Sequence, residues 1–337
     1  MSQALICPQC SAPLSPSRFA RSVTCAYCGT TIQLDPSHVP AARFHEAYQI
    51  WNSPQTHGYS SWLSLDEDHW AIEHLLGQGD TADVYAGRRA RWPTEVVVLK
   101  VARDAHKNPV LENEWGILQS LQQSTAPGAD VFGRLLPQPV MHGQVTAGLF
   151  TGQKVSIFRR EYGFRHSLEA VMQLYPHGIP PRSAIWLWRR VLELLHFLHA
   201  SGLAHGAVLP AHILVQEDDH GATLIGFGCA GEIGKKVSAR PADSEAFYPD
   251  PGPCPLTPQL DLAMSARTMI AALGGDSASC SLPPVVPGPL AEMTRRIARL
   301  KPTARGQSAW DLREMLGDLA ERVFGPPQFC PLIGSST

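Results

Sequence analysis

Hydrophobic rhythm changes once along this chain, and the change divides it in two. From Trp70 the apolar residues come in short strand-like runs: AIEHLL, DVYAG, EVVVLKVA and KVSIF. From residue 183 onward they recur at helical spacing, in SAIWLWRRVLELLHFLHAS, QLDLAMSARTMIAAL, LAEMTRRIARL and SAWDLREMLGDLAERVF. In the first of these, Ile185, Trp188, Leu192, Leu195 and Leu198 fall close to one helical stripe. A strand-rich block followed by a helix-rich block predicts an α+β fold with two lobes. Stretches rich in proline and glycine at 249–258 and 283–289 predict loops. With 337 residues, 44% of them hydrophobic, the chain can hold two or three domains and a sizeable core.

Composition narrows the function classes. Only 17% of residues are charged and the net charge is −2. That lacks the basic footprint needed for wholesale nucleic-acid binding. No run of 18 apolar residues predicts a membrane span. The start, MSQALICPQC, lacks the basic region and apolar stretch of a secretory signal. These features predict a cytoplasmic protein with no membrane partner.

Cysteine placement is uneven. Cys7-Pro-Gln-Cys10 and Cys25-Ala-Tyr-Cys28-Gly29 form two pairs separated by fourteen residues. Two such knuckles supply the four thiolates of a closed tetrahedral zinc site. Gly29 suits the tight turn of the second knuckle. The pattern resembles a zinc ribbon over residues 1–34, with Cys7, Cys10, Cys25 and Cys28 holding one structural ion. So short a segment cannot bury a core, so the metal is expected to supply its folding energy. Arg18 and Arg21 are offset by the formal −2 of a zinc tetrathiolate, which argues against a nucleic-acid role. Cys229, Cys254, Cys280 and Cys330 are scattered and read as thiols. Residues 35–68 read as a connector, in which Phe44, Ala47, Tyr48 and Trp51 mark one face of a short helix.

From about 70 to 325 the chain resembles a protein kinase of the serine/threonine type, with the family's motifs in order over about three quarters of the sequence. Gly77-Gln-Gly79-Asp-Thr-Ala82 resembles the glycine-rich loop that covers nucleotide phosphates, with alanine at its third glycine. Val97-Val98-Leu99-Lys100 resembles the strand carrying the phosphate-binding lysine. Glu114 matches the glutamate that pairs with it, with Glu112 as the second choice. Glu161 falls at the start of the hinge between lobes and Arg160 at the back of the adenine pocket. The resemblance implies a strand-rich lobe over 69–160, a helical lobe over 161–325 and a tail over 326–337.

The catalytic motifs keep their frame and lose their polar contents. His205-Gly206-Ala207-Val208-Leu209-Pro210-Ala211-His212 resembles His-Arg-Asp-Leu-Lys-Pro-x-Asn. Ala207 stands for the base, Leu209 for the lysine and His212 for the metal-binding asparagine. Gly226-Phe227-Gly228 resembles Asp-Phe-Gly, with glycine for the metal-binding aspartate. A general base contributes about 10²–10⁴-fold in rate, and one charge stabiliser about 10²–10³. The resemblance therefore implies a pseudokinase: a regulatory or scaffold protein, read as bacterial, working through a protein partner such as a true kinase, a phosphatase or a larger assembly. Gly77, Gly79, Lys100 and Glu114 leave weak ATP binding without magnesium open. Further along, Tyr248-Pro249-Asp250 resembles the end of the activation segment, Asp261 the acid that opens the central helix, and Arg305 the arginine expected to form a buried pair with Asp250. Ser238 and Ser244 lie in the segment between.

Two other readings remain. One is an atypical kinase or nucleotidyl transferase using relocated acids, with Asp80, Asp83, Glu217 and Asp218 as candidates. The other is a nucleic-acid adaptor in which the zinc ribbon is the active part.

Overall fold

The computed structural model describes residues 5–7, 13–14, 22–25, 31–33, 61–160, 163–216, 221–237, 240–250, 252, 254–304, 306–328 and 332. Two small antiparallel hairpins open the chain: β1 (Leu5–Ile6) with β2 (Pro13–Leu14), and β3 (Ser22–Thr24) with β4 (Thr31–Gln33). The short helix read around Phe44 to Trp51 lies outside the described residues.

A seven-stranded antiparallel sheet follows. It comprises β5 (Trp62–Leu65), β6 (Asp68–Gln78), β7 (Ala82–Arg89), β8 (Trp92–Ala102), β9 (Gln138–Gln144), β10 (Ala147–Gly148) and β11 (Lys154–Arg159), in the order β10-β5-β6-β7-β8-β11-β9. The sheet takes in β5, from the stretch read as connector. Alternation along β8 sorts its residues by face. Val97, Leu99 and Val101 join Leu63, Leu65, Trp70, Val155 and Ile157 in one core. Val98, Lys100 and Ala102 face the other way, toward helix α1 (Asn108–Gln122). That helix buries Leu111, Glu114, Leu118 and Leu121, a stripe at spacings of three and four.

The second block is mostly helical, around a small sheet of β12 (Phe164–Ser167), β14 (Ile213–Gln216) and β15 (Gly221–Leu224), with a two-residue pair, β13 (Leu203–Ala204) and β16 (Gly231–Glu232), beside it. Helix α2 (Leu168–Leu174) is short and capped by the Ser167 side chain. Helices α3 (Pro181–Ala200) and α4 (Pro258–Ala272) form its centre, and α5 (Gly288–Ala298) and α6 (Ala309–Phe324) pack around them. Both central helices carry buried polar groups, several of which are paired across the core. Trp188 Nε1 donates to Ser265 Oγ at 2.9 Å. Glu193 accepts from Arg190 at 2.6 Å and from Arg313 at 2.9 Å. Arg267 donates to the carbonyls of Ala246, Ser277 and Ala298. Among the described residues no helix is long and apolar enough to cross a membrane.

Candidate functional site: the cleft floor between the lobes

The floor is assembled from five pieces: the β6–β7 turn, β8, helix α1, the loop 205–212 and the turn 226–230. Lys100 Nζ reaches Glu114 Oε2 at 2.6 Å. Glu114 is 3% exposed, so its charge is held by partners rather than water. Its other oxygen accepts the Phe227 N–H at 3.0 Å, which ties α1 to the turn at Gly226. Asn113, beside Glu114, donates to the carbonyls of Gly228 and Ala230 at 3.1 and 2.9 Å. Glu112 is exposed and pairs with Lys154 instead, at 2.7 Å. Glu114 is therefore the partner of Lys100.

The glycine-rich turn is open above the cleft. A Cβ at Gly77 would meet nothing within 4 Å, and at Gly79 only the Ala82 carbonyl at 3.4 Å. Internal packing requires glycine at neither position. Ala82 buries its methyl with Ala102 and Leu111. At the tip, Asp80 accepts the Ala242 N–H at 2.5 Å, joining the turn to the segment after Gly228. Asp83 pairs with Arg103 at 2.9 Å on an exposed edge.

The loop at 205–212 is held from below by α4. Asp261 is fully buried and accepts from the backbone N–H groups of His205 and Gly206, each at 2.8 Å, and from His199 Nε2 at 2.9 Å. Thr268 donates to the Val208 carbonyl at 2.7 Å. Gly206 sits at φ +71, where a Cβ would come 2.6 Å from Leu256 and 2.9 Å from the Cys229 carbonyl, so an arginine does not fit this backbone as it stands. Ala207, in the place of the base, is a buried methyl. His205 donates from Nε2 to the Ile225 carbonyl at 3.0 Å and lies edge-on to Phe227, with ring centroids 4.7 Å apart. Burial holds its pKa below the ordinary histidine value.

His212 and Gly226 meet. The imidazole donates from Nδ1 to the Ala207 carbonyl at 2.8 Å. Burial, reinforced by His205, pushes its pKa down to about 4, so the ring is neutral near pH 7. Gly226 lies directly against it, at φ +77.

One expectation changes, at Asp250. Strand register places Ser156 opposite Lys100 and Phe158 opposite Val98. Phe158 is buried and its ring centroid lies 6.0 Å from that of Trp115 on α1. Arg160, two residues on, is half-buried. Asp250 is exposed and accepts the Gly252 N–H at 3.0 Å, so it is not half of a buried pair. Glu161, Glu217, Asp218, Ser238 and Arg305 lie outside the described residues. Ser244 is buried and donates to the Pro241 carbonyl at 2.5 Å. The segment end is instead anchored by Tyr248, whose hydroxyl donates to the Gly206 carbonyl at 2.8 Å beneath the Arg240 guanidinium, 4.2 Å from the ring centre.

At the N-terminus, Cys7 directly follows β1 and Cys25 directly follows β3. Both are buried in one cluster with Leu14, while Cys10 and Cys28 lie outside the described residues. Among the described residues no group of three or more His, Cys, Asp or Glu side chains could hold a metal ion.

No known family model and no curated protein sequence matches the chain. In structure it is similar to the crystal structure of the BubR1 kinase domain, with a TM-score of 0.58 and 17% sequence identity over 83% of this chain and 91% of that one. At that identity the likeness concerns architecture alone: the chain has a kinase-like α+β fold.

Proposed function

We propose that the protein is a catalytically inactive kinase-like regulator or scaffold that works through a protein partner. The observation that carries this reading is the cleft floor. Ala207 offers a methyl where the base stands in the resembling family, and a neutral imidazole lies against the bare backbone of Gly226. Phosphoryl transfer depends on positioned metal and charge, and magnesium takes oxygen ligands in preference to imidazole. The residues at 207, 212 and 226 therefore do not fit a magnesium–nucleotide complex. The relocated-acid reading gains no support from Asp80 or Asp83, since both carboxylates are engaged elsewhere.

The open glycine turn and the Lys100–Glu114 pair favour residual ATP binding that is indifferent to magnesium. A ligand of the folded state raises the thermal midpoint by mass action. The expected result is a rise with ATP in EDTA that magnesium does not enlarge. A rise that appears only when magnesium is added speaks against the reading.

For the N-terminal hairpins we propose one structural zinc held by Cys7, Cys10, Cys25 and Cys28. Support comes from the burial of Cys7 and Cys25 in a single cluster, each at the end of the first strand of its hairpin. Elemental analysis should return one zinc per chain, and a Cys7→Ser/Cys25→Ser protein should return none. Undiminished zinc in that variant would remove the assignment.

A further inference from the structure

We infer that His212 is the side chain that keeps divalent cations out of the cleft, by filling the volume a metal-binding side chain at position 226 would need. The inference deepens the inactive-kinase reading and rests on it.

A Cβ built on Gly226 would come 2.6 Å from Cδ2, 2.7 Å from Cγ and 2.7 Å from Nε2 of His212. Those distances are shorter than any carbon–carbon or carbon–nitrogen contact between unbonded atoms. The glycine is therefore required by the ring beside it. Backbone conformation adds to that demand: φ +77 and ψ 43 lie at the left-handed region, which residues with a side chain rarely adopt. The ring in turn is tied in place. Its Nδ1–H is committed to the Ala207 carbonyl at 2.8 Å, and His205 lies on one side with its ring centroid 6.2 Å away. An imidazole so fixed cannot yield to a carboxylate at 226 without breaking that bond.

The surrounding charges do not compensate. Glu114 is the acid closest to the floor by its contacts, and both its oxygens are taken, by Lys100 and by the Phe227 N–H. Positions 212 and 226 are thus interlocked: the residue present at the first forbids a ligand at the second. Loss of the metal site is then one coupled change of two residues, and restoring either residue alone does not reopen it.

The test uses the full chain as wild type, Gly226→Asp, His212→Asn and their double variant, with His212→Ala as the second background of the steric cycle. Without ligand, Gly226→Asp should lower the thermal midpoint of the wild type by about 5 °C, a typical consequence of overpacking in a chain of this size. In the His212→Ala background, where Cγ, Cδ2 and Nε2 are all absent, the same change should cost less than in the wild type, the strain of φ +77 being common to both. Gly226→Ala in both backgrounds repeats the cycle with a smaller intrusion, should the aspartate variant fail to fold. With ATP present, Mn²⁺ should raise the midpoint over EDTA in the double variant only. Equal penalties in the two backgrounds would overturn the interlock. A Mn²⁺ response in Gly226→Asp as large as in the double variant, or none in the double variant, would overturn the claim that His212 excludes the metal. Magnesium-dependent turnover by the wild type would sink the inactive-kinase reading while leaving the steric cycle unchanged, so the two failures are distinguishable.

Discussion

At position 212 a neutral, half-buried imidazole couples the cleft floor to pH. In the folded chain its pKa is pushed down to about 4, whereas an unfolded chain takes up the proton near the ordinary value of about 6.5. Between those values the unfolded state binds more protons, so stability falls as pH falls. From pH 7 to pH 5 this one group removes about 2 kcal/mol of stability. His212→Asn should lose correspondingly less over the same interval, as read from urea midpoints at the two pH values. His205 is shifted in the same direction by its own burial and is present in both proteins, so the difference between the two declines reports the loss of His212 together with its coupling to His205. Parallel declines in the two proteins would show that the ring does not stay neutral in the fold.

Among the elements, helix α4 is the one that shapes the site without touching the cleft. Its N-terminal acid, Asp261, accepts three hydrogen bonds inside the protein and gives the 205–212 loop its course. Hydrogen bonds to a buried charge contribute about 1.5–3 kcal/mol each, and removing their common acceptor strands three donors. Asp261→Ala should destabilise the protein by about 3 kcal/mol or more and speed amide exchange at 203–209. A loss below 1 kcal/mol would mean that the loop holds its own shape. Asp261 was legible in the sequence because the motif frame around it survives. So were the strands of β6 to β8 and helices α3 to α6, whose apolar runs carry strand-like and helical spacing. Pairing of Ser156 with Lys100 and of Phe158 with Val98 sets the register, and pairing is a long-range property that a linear motif does not carry. The Asn113 ties to Gly228 and Ala230 were missed for a related reason. An exposed-looking polar residue on a helix gives no hint that its amide bridges to a turn more than a hundred residues away. The contact of His212 with Gly226 belongs to the same class: each substitution reads as a loss in the sequence, and only their proximity makes them one event.

Seen whole, the molecule joins its strand-rich and helical blocks through a chain of specific ties. Lys100 meets Glu114, Glu114 meets Phe227, Asp261 holds the loop, and Tyr248 pins the segment end. These ties stabilise a defined arrangement of the lobes. What is missing is negative charge at 207 and 226. The account accordingly predicts ATP turnover by the full chain indistinguishable from a protein-free blank with Mg²⁺ or Mn²⁺, and unchanged in Lys100→Met. Metal-dependent turnover above that blank, abolished by Lys100→Met, would contradict it.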